Sequence, residues 1–362
     1  MSTSQIKTCW LTVNRICQLR CRWCYAQDTG YNTSHDMAFK TAVRLIDIMQ
    51  RMGTNTCKIL GGEPSLYPHI TDVLKHLQTC GIRSVLITNG LRYANKDVMA
   101  EHFEAGLDSL IISLKAGTHE SYKQYTGADV LDRVHQAIRN LADFRGGVTI
   151  TITEEMLNEI VPALSGIIDA GVRFVNLHFC SPTLVSGTPE NHSMLAPSVA
   201  ADLMMRAVRY LEERNVSYNV QISIPLCLFD TDFILGLIEK NCLTSGCIVN
   251  KKSGIILGTE GEAGFCNHMM EYPFGKLDVD FSTAAQLQKL YLSQDRFFNV
   301  TNRAPSDKCL RCPISHICCG GCPLQWTQFN PETWVKGGDA FTELVEKLNT
   351  TVNHSISYEP LN

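Results

Sequence analysis

The sequence predicts an α/β protein: a parallel barrel of about six βα units that stays open on one side, followed by a cysteine-rich region. Three observations lead to this prediction. Strand-like and helix-like segments alternate from about residue 9 to residue 224. Several of the strands alternate apolar and polar side chains, and most of the 16 cysteines gather near the two ends of the chain. Strands separated by helices are typical of βαβ units and a parallel sheet.

The individual helices and strands are predicted from the spacing of apolar residues and from the residues that begin or end helices. Asp36 is expected to cap a first helix in which Phe39, Val43 and Ile46 recur at helical spacing, and Gly53 ends it. Further helices are expected around 70–77, 96–105, 157–170 and 199–210, and a longer helical stretch is expected to reach residue 143. Strands are expected at 9–14, 56–60, 84–90, 109–115, 148–153, 174–180 and 218–224.

The pattern within the strands favours a barrel over a flat sheet. In the strand at 148–153 three apolar residues alternate with three threonines, and the strands at 174–180 and 218–224 alternate in the same way. A flat parallel sheet covered on both faces would bury these polar rows at a cost. In a barrel they line the lumen while the apolar residues face the helices. Chemistry is then expected at the carboxyl ends of the strands.

Composition narrows the function classes. The 362 residues carry a net charge of −4 with mixed signs and no strongly basic patch, so a nucleic-acid partner is not expected. No apolar run is long enough to span a membrane, and the N-terminus has no apolar export signal. We therefore expect a cytoplasmic protein with two domains, at 1–228 and 229–362.

Clustered cysteines in a cytoplasmic protein more often bind metal or do redox work than form disulfides. Cys17, Cys21 and Cys24 lie close together on the loop after the first strand. On chemistry alone two sites are open: a zinc knuckle completed by a residue such as His35, or a four-iron cluster with one iron left free. Five scattered cysteines are expected to be small buried hydrophobic residues: Cys9, Cys57, Cys80, Cys180 and Cys227.

The context of the trio resembles a known family. The spacing Cys17-x3-Cys21-x2-Cys24, together with the segment Gly61-Gly62-Glu63-Pro64 at the next strand end, is similar to the motifs of the radical S-adenosylmethionine (radical SAM) enzymes. The resemblance extends over about 8–225 and implies a partial (βα)6 TIM-like barrel. It also implies a 4Fe-4S cluster that binds S-adenosylmethionine and cleaves it to a 5′-deoxyadenosyl radical, which takes a hydrogen atom from the substrate.

The same resemblance suggests residues around the cofactor. Gly61 and Gly62 would let the backbone approach the ligand closely, and Glu63 would carry charge towards the methionine amino group. His178 is a candidate base or substrate partner in the lumen; alternatively it is a hydrogen-bonded wall residue. The complete set of expected cofactor-binding residues is Trp23, Tyr25, Gly61, Gly62, Glu63, Pro64, Thr88, Asn89, Ser113 and Lys115.

The C-terminal cysteines are similar to the SPASM/twitch extension of radical SAM enzymes, which holds auxiliary iron–sulfur clusters. Thr259 to Glu262 is expected to form a hairpin turn before Cys266. By position the first auxiliary cluster would take Cys247, Cys266 and Cys322, with Cys242 as a plausible fourth ligand. The second would take Cys309, Cys312 and Cys318. Two zinc sites are the alternative for these cysteines.

The sequence departs from the SPASM pattern after Cys322, where a further cysteine is expected and none follows. The second auxiliary cluster then lacks a fourth ligand. A non-cysteine ligand, an open iron that binds substrate, or loss of the cluster are the alternatives. Cys319 is a poor ligand beside Cys318, and a hydrogen-atom donor role is the other possibility for it.

The expected reaction is modification of a ribosomal peptide: a crosslink, an oxidation or an epimerisation. No small winged domain precedes the first strand, so a discrete leader-peptide-binding protein is a possible partner, beside a flavodoxin- or ferredoxin-like electron donor. The alternative substrate is a small molecule such as an aminosugar or nucleoside. A non-catalytic electron carrier is disfavoured, because residues 61–64 would then have no purpose.

Overall fold

Parallel strands form the frame of the molecule. The structure, a computed structural model, describes residues 6–26, 35–190, 193–301 and 303–336. The first six strands are β1 (Thr8–Thr12), β2 (Thr56–Leu60), β3 (Arg83–Thr88), β4 (Ser109–Leu114), β5 (Gly146–Ile152) and β6 (Phe174–Phe179). A short hairpin, β7 (Thr183–Val185) and β8 (Thr188–Glu190), precedes β9 (Ser217–Ile222). Neighbouring strands from β1 to β6, and β6 with β9, pair in parallel, as expected for a partial (βα)6 barrel.

The two faces of these strands differ as the sequence predicts. Val148, Ile150 and Leu177 are fully buried towards the helices. Thr149, on the other face of β5, lines a cavity inside the curved sheet, and so does His178 on β6. The alternation of apolar and polar residues along one strand therefore separates a dry outer layer from a polar lumen.

Helices cover the outer face of the sheet. Those of the barrel are α1 (Phe39–Met52), α2 (Ile70–Thr79), α3 (Lys96–Glu104), α4 (His119–Thr126), α5 (Leu131–Asn140), α6 (Met156–Asp169), α7 (Pro197–Glu212) and α8 (Thr231–Glu239). Gly53 ends α1 in the left-handed region, with φ of 77°, as predicted. Asp36 does not cap this helix: Ala38 is the N-cap residue and makes no side-chain cap, while Asp36 bridges to Asn14. No helix in the described ranges is both long and apolar enough to cross a membrane.

The segments after residue 240 extend the same sheet at both ends. The strand β10 (Leu243–Ser245) pairs in parallel with β9, and β11 (Gly254–Leu257) pairs in parallel with β1. Two short antiparallel strands, β12 (Glu262–Gly264) and β13 (Gly275–Lys276), follow β11. The strand order is β10-β9-β6-β5-β4-β3-β2-β1-β11-β12-β13. The expected hairpin turn at 259–262 connects β11 to β12, whereas β10 and β11 were not expected as strands.

Short helices carry the last cysteines. They are α9 (Ala284–Leu292), α10 (Asp295–Thr301), α11 (Asp307–Leu310), α12 (Ser315–Cys318) and α13 (Pro331–Trp334). The segment from α12 onwards is attached to the end of the barrel, because Cys322 N–H donates to the carbonyl of Ser223, 2.7 Å away, just after β9. The division into domains at 228/229 stays a prediction.

Candidate active site and cysteine clusters

The loop after β1 brings its three cysteines to the mouth of the lumen. Cys17, Cys21 and Cys24 are half-buried and line one cavity with the strand ends of β2 and β3. Burial raises the pKa of the Cys21 thiol to about 11, and the two other thiols of the trio act in the same direction. Burial likewise raises the pKa of Cys17. A cation that binds all three would remove this penalty, because thiolates are the form that binds metal.

Gly61 and Gly62 hold the second strand end against this loop. A Cβ on Gly61 would lie 2.1 Å from Asn14 Oδ1, and one on Gly62 would lie 2.4 Å from the Arg15 carbonyl. Gly62 N–H donates to the Asn14 carbonyl at 3.0 Å. The glycines therefore allow close approach to the backbone that leads into Cys17, a reason different from the approach to a ligand that the sequence suggested.

Glu63 joins three loops through one buried carboxylate. It is 1% exposed, and it accepts hydrogen bonds from Thr88 Oγ1 at 2.6 Å, Asn89 N–H at 2.7 Å and Ser65 N–H at 3.1 Å. Its own N–H donates to the Ile16 carbonyl at 2.7 Å. Burial raises its pKa and the hydrogen bonds oppose that shift. The side chain thus braces the strand ends of β2 and β3 around the cysteine loop, and the buried Pro64 starts a short 3-10 turn beside it.

Asn89 connects this brace to the cysteines. Its Nδ2 donates to Gln18 Oε1 at 3.0 Å and lies 3.8 Å from Cys17 Sγ. Leu19 N–H donates to the same sulfur at 3.4 Å. Two N–H donors directed at one sulfur favour its charged form. Thr88 was expected to bind the cofactor, but its hydroxyl donates its hydrogen to the Glu63 carboxylate.

Two aromatic residues after Cys21 close the mouth of the cavity. The Trp23 ring lies 6.4 Å from Tyr125, and its buried Nε1–H has no hydrogen-bond partner among the described residues. The Tyr25 hydroxyl donates to the Gly61 carbonyl at 3.4 Å, and burial raises the pKa of that hydroxyl. Trp23 therefore offers a donor to a ligand, whereas the Tyr25 hydroxyl is already used.

The lumen below the cysteines has a volume of about 620 Å³. Lys58, Arg83, Lys115 and Arg145 line it, and Glu63 is its one carboxylate among the described residues. Ser113 lies in the wall on β4. This excess of cationic side chains favours anionic groups inside the barrel.

His178 is part of the lumen wall. Its Nε2 lies 2.9 Å from Thr151 Oγ1 and its Nδ1 lies 3.1 Å from Thr149 Oγ1, so both ring nitrogens have partners. Burial and then the charge of Lys115 lower its pKa to about 4. The ring is neutral at pH 7 and already hydrogen-bonded, an arrangement that suits a positioning residue better than a free base.

Three C-terminal cysteines expected as a first auxiliary set influence one another electrostatically. Burial raises the pKa of Cys266, and the thiols of Cys247 and Cys322 add to that increase. The pKa of Cys322 is raised to about 12, first by burial and then by Cys247. Their role as cluster ligands stays a prediction.

Cys242, the expected fourth ligand of this set, is directed elsewhere. Its Sγ donates to the Leu237 carbonyl at 3.4 Å, and Tyr218 is its other polar neighbour. The reason is its place at the end of α8, where the chain turns into β10 with the thiol against the helix. The residue nearer to Cys247 is Cys319, whose Sγ would lie 3.2 Å from a Cβ on Gly246.

The expected second set, Cys309, Cys312 and Cys318, lines a separate cavity of about 400 Å³. Cys227, expected only as a buried hydrophobic residue, lies in the wall of the same cavity and is 6% exposed. The sequence carries no spacing signal for it, because it lies 82 residues before Cys309 (309 minus 227). Cys319 also lines this cavity, in the left-handed region with φ of 51°.

Comparison with known proteins identifies the first part of the chain. Residues 11–155, from β1 to the residue before α6, match the radical SAM superfamily. This stretch is a radical SAM domain. Its three cysteines and the loop at 61–64 lie together at one strand-end cavity, as the resemblance implied.

Curated relatives match between 36% and 40% of the chain. A probable GTP 3′,8-cyclase of Metallosphaera sedula is 29% identical over 130 residues, which are 36% of this chain and 40% of that protein. One of Thermococcus kodakarensis is 27% identical over 143 residues, 40% of this chain and 46% of that protein. The chain thus spans less than half the length of these relatives.

Solved structures resemble the fold over most of the chain. SuiB of Streptococcus suis, bound to its precursor peptide SuiA, matches 90% of this chain and 74% of its own, with a TM-score of 0.68 and 16% identity. The protein anSMEcpe with bound AdoMet matches 96% of this chain and 100% of its own, with a TM-score of 0.67 and 15% identity. At these identities the likeness is one of fold: a partial barrel with a cysteine-rich C-terminal part.

Proposed function

We propose that this protein is a radical SAM enzyme that abstracts a hydrogen atom from a peptide. The observation that carries the proposal is the set of three half-buried thiols beside the Glu63-braced loops, at the mouth of a 620 Å³ lumen. Three thiolates hold a 4Fe-4S cluster and leave one iron free for S-adenosylmethionine. When bound, the cluster supplies the electron that splits the cofactor into methionine and the 5′-deoxyadenosyl radical, which oxidises the substrate by hydrogen abstraction.

The chain's own residues fit that role. Asn89 and the backbone at Leu19 direct N–H groups at Cys17, and Trp23 keeps a free donor at the same mouth.

Two likenesses support a peptide as substrate. SuiB has a structure bound to its precursor peptide SuiA, and anSMEcpe has one with bound AdoMet and Kp18Cys peptide. On this proposal Ser113 and Lys115 bind the cofactor at the lumen wall, and His178 contacts or orients the one peptide residue that enters the lumen. A flavodoxin- or ferredoxin-like electron donor, a discrete leader-binding protein and a cytoplasmic location belong to the same proposal.

A second candidate substrate is an anionic small molecule, such as a nucleotide. The four cationic side chains of the lumen favour it, and the curated relatives are named for a reaction of GTP. Such a substrate would sit wholly inside the barrel with its anionic group towards Lys58 and Arg83.

The C-terminal cysteines complete the proposal as one or two auxiliary iron–sulfur clusters. Cys247, Cys266 and Cys322 would hold the first, within a SPASM-type domain at 229–362. Cys309, Cys312 and Cys318 would hold the second. With all three clusters the chain would contain about 12 iron, and about 8 if one auxiliary site is empty.

The test is the cleavage of S-adenosylmethionine by anaerobically reconstituted protein with a chemical reductant. Wild-type protein should form 5′-deoxyadenosine, and the triple variant Cys17→Ala/Cys21→Ala/Cys24→Ala should form none and lose about 4 iron. Cys57→Ala is the matched control, because this fully buried cysteine in β2 does not line the cavity. Cleavage by the triple variant would contradict the site.

The same assay separates the two substrate classes. Deuterium-labelled synthetic peptides and deuterium-labelled GTP, the nucleotide probe, are added in separate reactions. Deuterium in 5′-deoxyadenosine from the peptide supports the first candidate, and deuterium from GTP supports the second.

A further inference from the structure

Cys227 shares a cavity with the three cysteines of the second auxiliary set. It lies on the 3-10 turn Leu226–Leu228, directly after the end of the barrel sheet, and is 6% exposed. Cys309, Cys312 and Cys318 lie in the wall of the same 400 Å³ cavity. Two parts of the chain that are far apart in sequence thus bring these four thiols to one space, together with that of Cys319.

Hydrogen bonds attach the two segments in a fixed register. Leu226 N–H, the donor just before Cys227, points at Cys318 Sγ from 3.3 Å. Four residues on, Cys322 N–H donates to the Ser223 carbonyl at 2.7 Å. Gly321 lets these backbones touch, since a Cβ there would lie 2.5 Å from the Ser223 carbonyl oxygen. The juxtaposition of Cys227 and Cys318 is therefore built into the packing.

We infer that Cys227 is the fourth ligand of the second auxiliary cluster, in place of the cysteine that the C-terminal sequence lacks. The inference rests on the proposed function, which supplies the cluster. Each of the four thiols loses its proton to solvent on binding, giving a site with four thiolate ligands, which is the usual complement of a 4Fe-4S cluster.

Cys319 is the competing thiol, because it lines the same cavity. Its Sγ packs against Gly246 and bonds weakly to the His316 carbonyl at 3.6 Å, on the side of Cys247. These contacts occupy the Cys319 thiol and favour Cys227 as the ligand. With Cys227 as the fourth ligand, the adjacent residues Cys318 and Cys319 need not both bind the same cluster.

A closed set of four ligands has consequences for the reaction. The second cluster would offer no open iron to a substrate, so its role is electron transfer. Four thiolates also place its potential below that of a site with one neutral or oxygen ligand, because negative charge from the ligands is one of the factors that lower it. The cluster would further connect the barrel to the C-terminal region covalently through metal.

The test compares iron content, EPR spectra of the reduced clusters and redox potentials in reconstituted variants. In Cys227→Ala, iron should fall from about 12 per chain to between 8 and 11, as the second cluster loses one iron or all four. Cys227→Ser, whose side chain can supply an anionic oxygen ligand, should retain more iron than Cys227→Ala. Cys57→Ala, a fully buried cysteine in β2, is the control that should keep wild-type iron.

Cys318→Ala is the reference for loss of the second cluster. If it loses iron while Cys227→Ala keeps wild-type iron, spectra and potentials, Cys227 is not a ligand. If neither variant changes the iron content, or if the site holds zinc, the inference is equally overturned. Formation of 5′-deoxyadenosine by wild-type protein is measured as a separate assay. If no 5′-deoxyadenosine forms, the proposed function is wrong, whereas the iron content of the variants still decides whether Cys227 is a ligand.

Discussion

Glu63 is the residue on which the geometry of the cysteine loop depends most. Replacement by Gln keeps the shape but puts an amide NH2 where one carboxylate oxygen accepts a hydrogen, leaving a buried N–H such as that of Asn89 unpaired. We expect Glu63→Gln to lose about 1–3 kcal/mol of unfolding free energy. We also expect a weaker apparent affinity for S-adenosylmethionine, measured by titration of 5′-deoxyadenosine formation.

A second buried carboxylate provides the control for this prediction. Glu159 on α6 is 9% exposed and accepts from Gly117 N–H at 2.9 Å and Ser121 Oγ at 2.7 Å, outside the lumen. Glu159→Gln should lose a similar unfolding free energy, from thermal unfolding, but keep the affinity for the cofactor. Equal losses of affinity in both variants would mean that Glu63 acts through stability alone.

Sequence reasoning located the residues of the site better than their roles. The trio and the loop at 61–64 were identifiable because their spacing is local. The close contact that requires a glycine at position 61 and the hydrogen bonds of Glu63 were not predictable. Both depend on contacts between strand ends that are 25 or more residues apart in sequence. Cys227 is buried as predicted, but the directions of the Cys227 and Cys242 thiols were not predictable for the same reason. The first lines a cysteine cavity and the second donates to the Leu237 carbonyl, and the spacing of the cysteines indicates neither.

At the scale of elements, the short reversal between Cys318 and Cys322 positions both auxiliary sets. Residues 319, 320 and 321 all have positive φ, from 51° to 81°. Gly321 in addition touches the Ser223 carbonyl, so any side chain there would push this segment away from the barrel. Gly321→Ala should therefore deplete iron at both auxiliary sites, with a loss approaching about 8 of 12.

Gly53→Ala is the control that shows the effect of a positive φ alone, without the contact that Gly321 makes with Ser223. Gly53 has a similar φ of 77°, and nothing lies within 4 Å of a Cβ placed on it. That variant should lose about 1 kcal/mol of unfolding free energy and keep its iron. Wild-type iron content in Gly321→Ala, measured by elemental analysis, would show that the contact with Ser223 does not hold the clusters.

The regular barrel elements were predictable, whereas the C-terminal ones were only partly so. In the barrel each strand and helix has its own periodic signal, and the polar row of β5 even indicates the lumen. By contrast β10 and β11 have three and four residues, too few for a period to stand out. They exist as strands because the exposed edges of β9 and β1 provide hydrogen-bond partners, which is a tertiary effect.

At the scale of the whole molecule, the barrel concentrates positive charge. Cations come from successive strands or their ends: Lys58, Arg83, Lys115 and Arg145. His178 responds to this field as well as to burial. Its pKa of about 4 results from burial first, then from Lys115, His268 and Lys58. In the pH range of enzyme assays the lumen charge therefore comes from lysine and arginine, and the histidine adds none.

This depressed pKa predicts a pH-dependent stability with a definite sign. The folded protein keeps His178 neutral down to about pH 4, whereas the unfolded chain binds a proton there near pH 6.5. Between these values the unfolded state holds more protons, so stability falls as the pH falls. At pH 5.5 the contribution is about 1 kcal/mol, which corresponds to about 1 °C in Tm for a chain of this length.

His178→Gln removes that titration while keeping groups that can bond to Thr149 and Thr151. Calorimetry of the reconstituted protein between pH 7.5 and 5.5 should show a smaller decrease in Tm for this variant than for wild type. His119→Gln is the control with the opposite sign: His119 lies 2.7 Å from Asp129, which raises its pKa, so it contributes stability that is lost as the pH rises. If His178→Gln and wild type lose Tm in parallel, the histidine is solvated and protonates normally in the fold. The lumen would then gain a further positive charge below pH 6.5, and substrate affinity would change across that pH. A ring that stays neutral down to about pH 4 predicts no such change in affinity near pH 6.5.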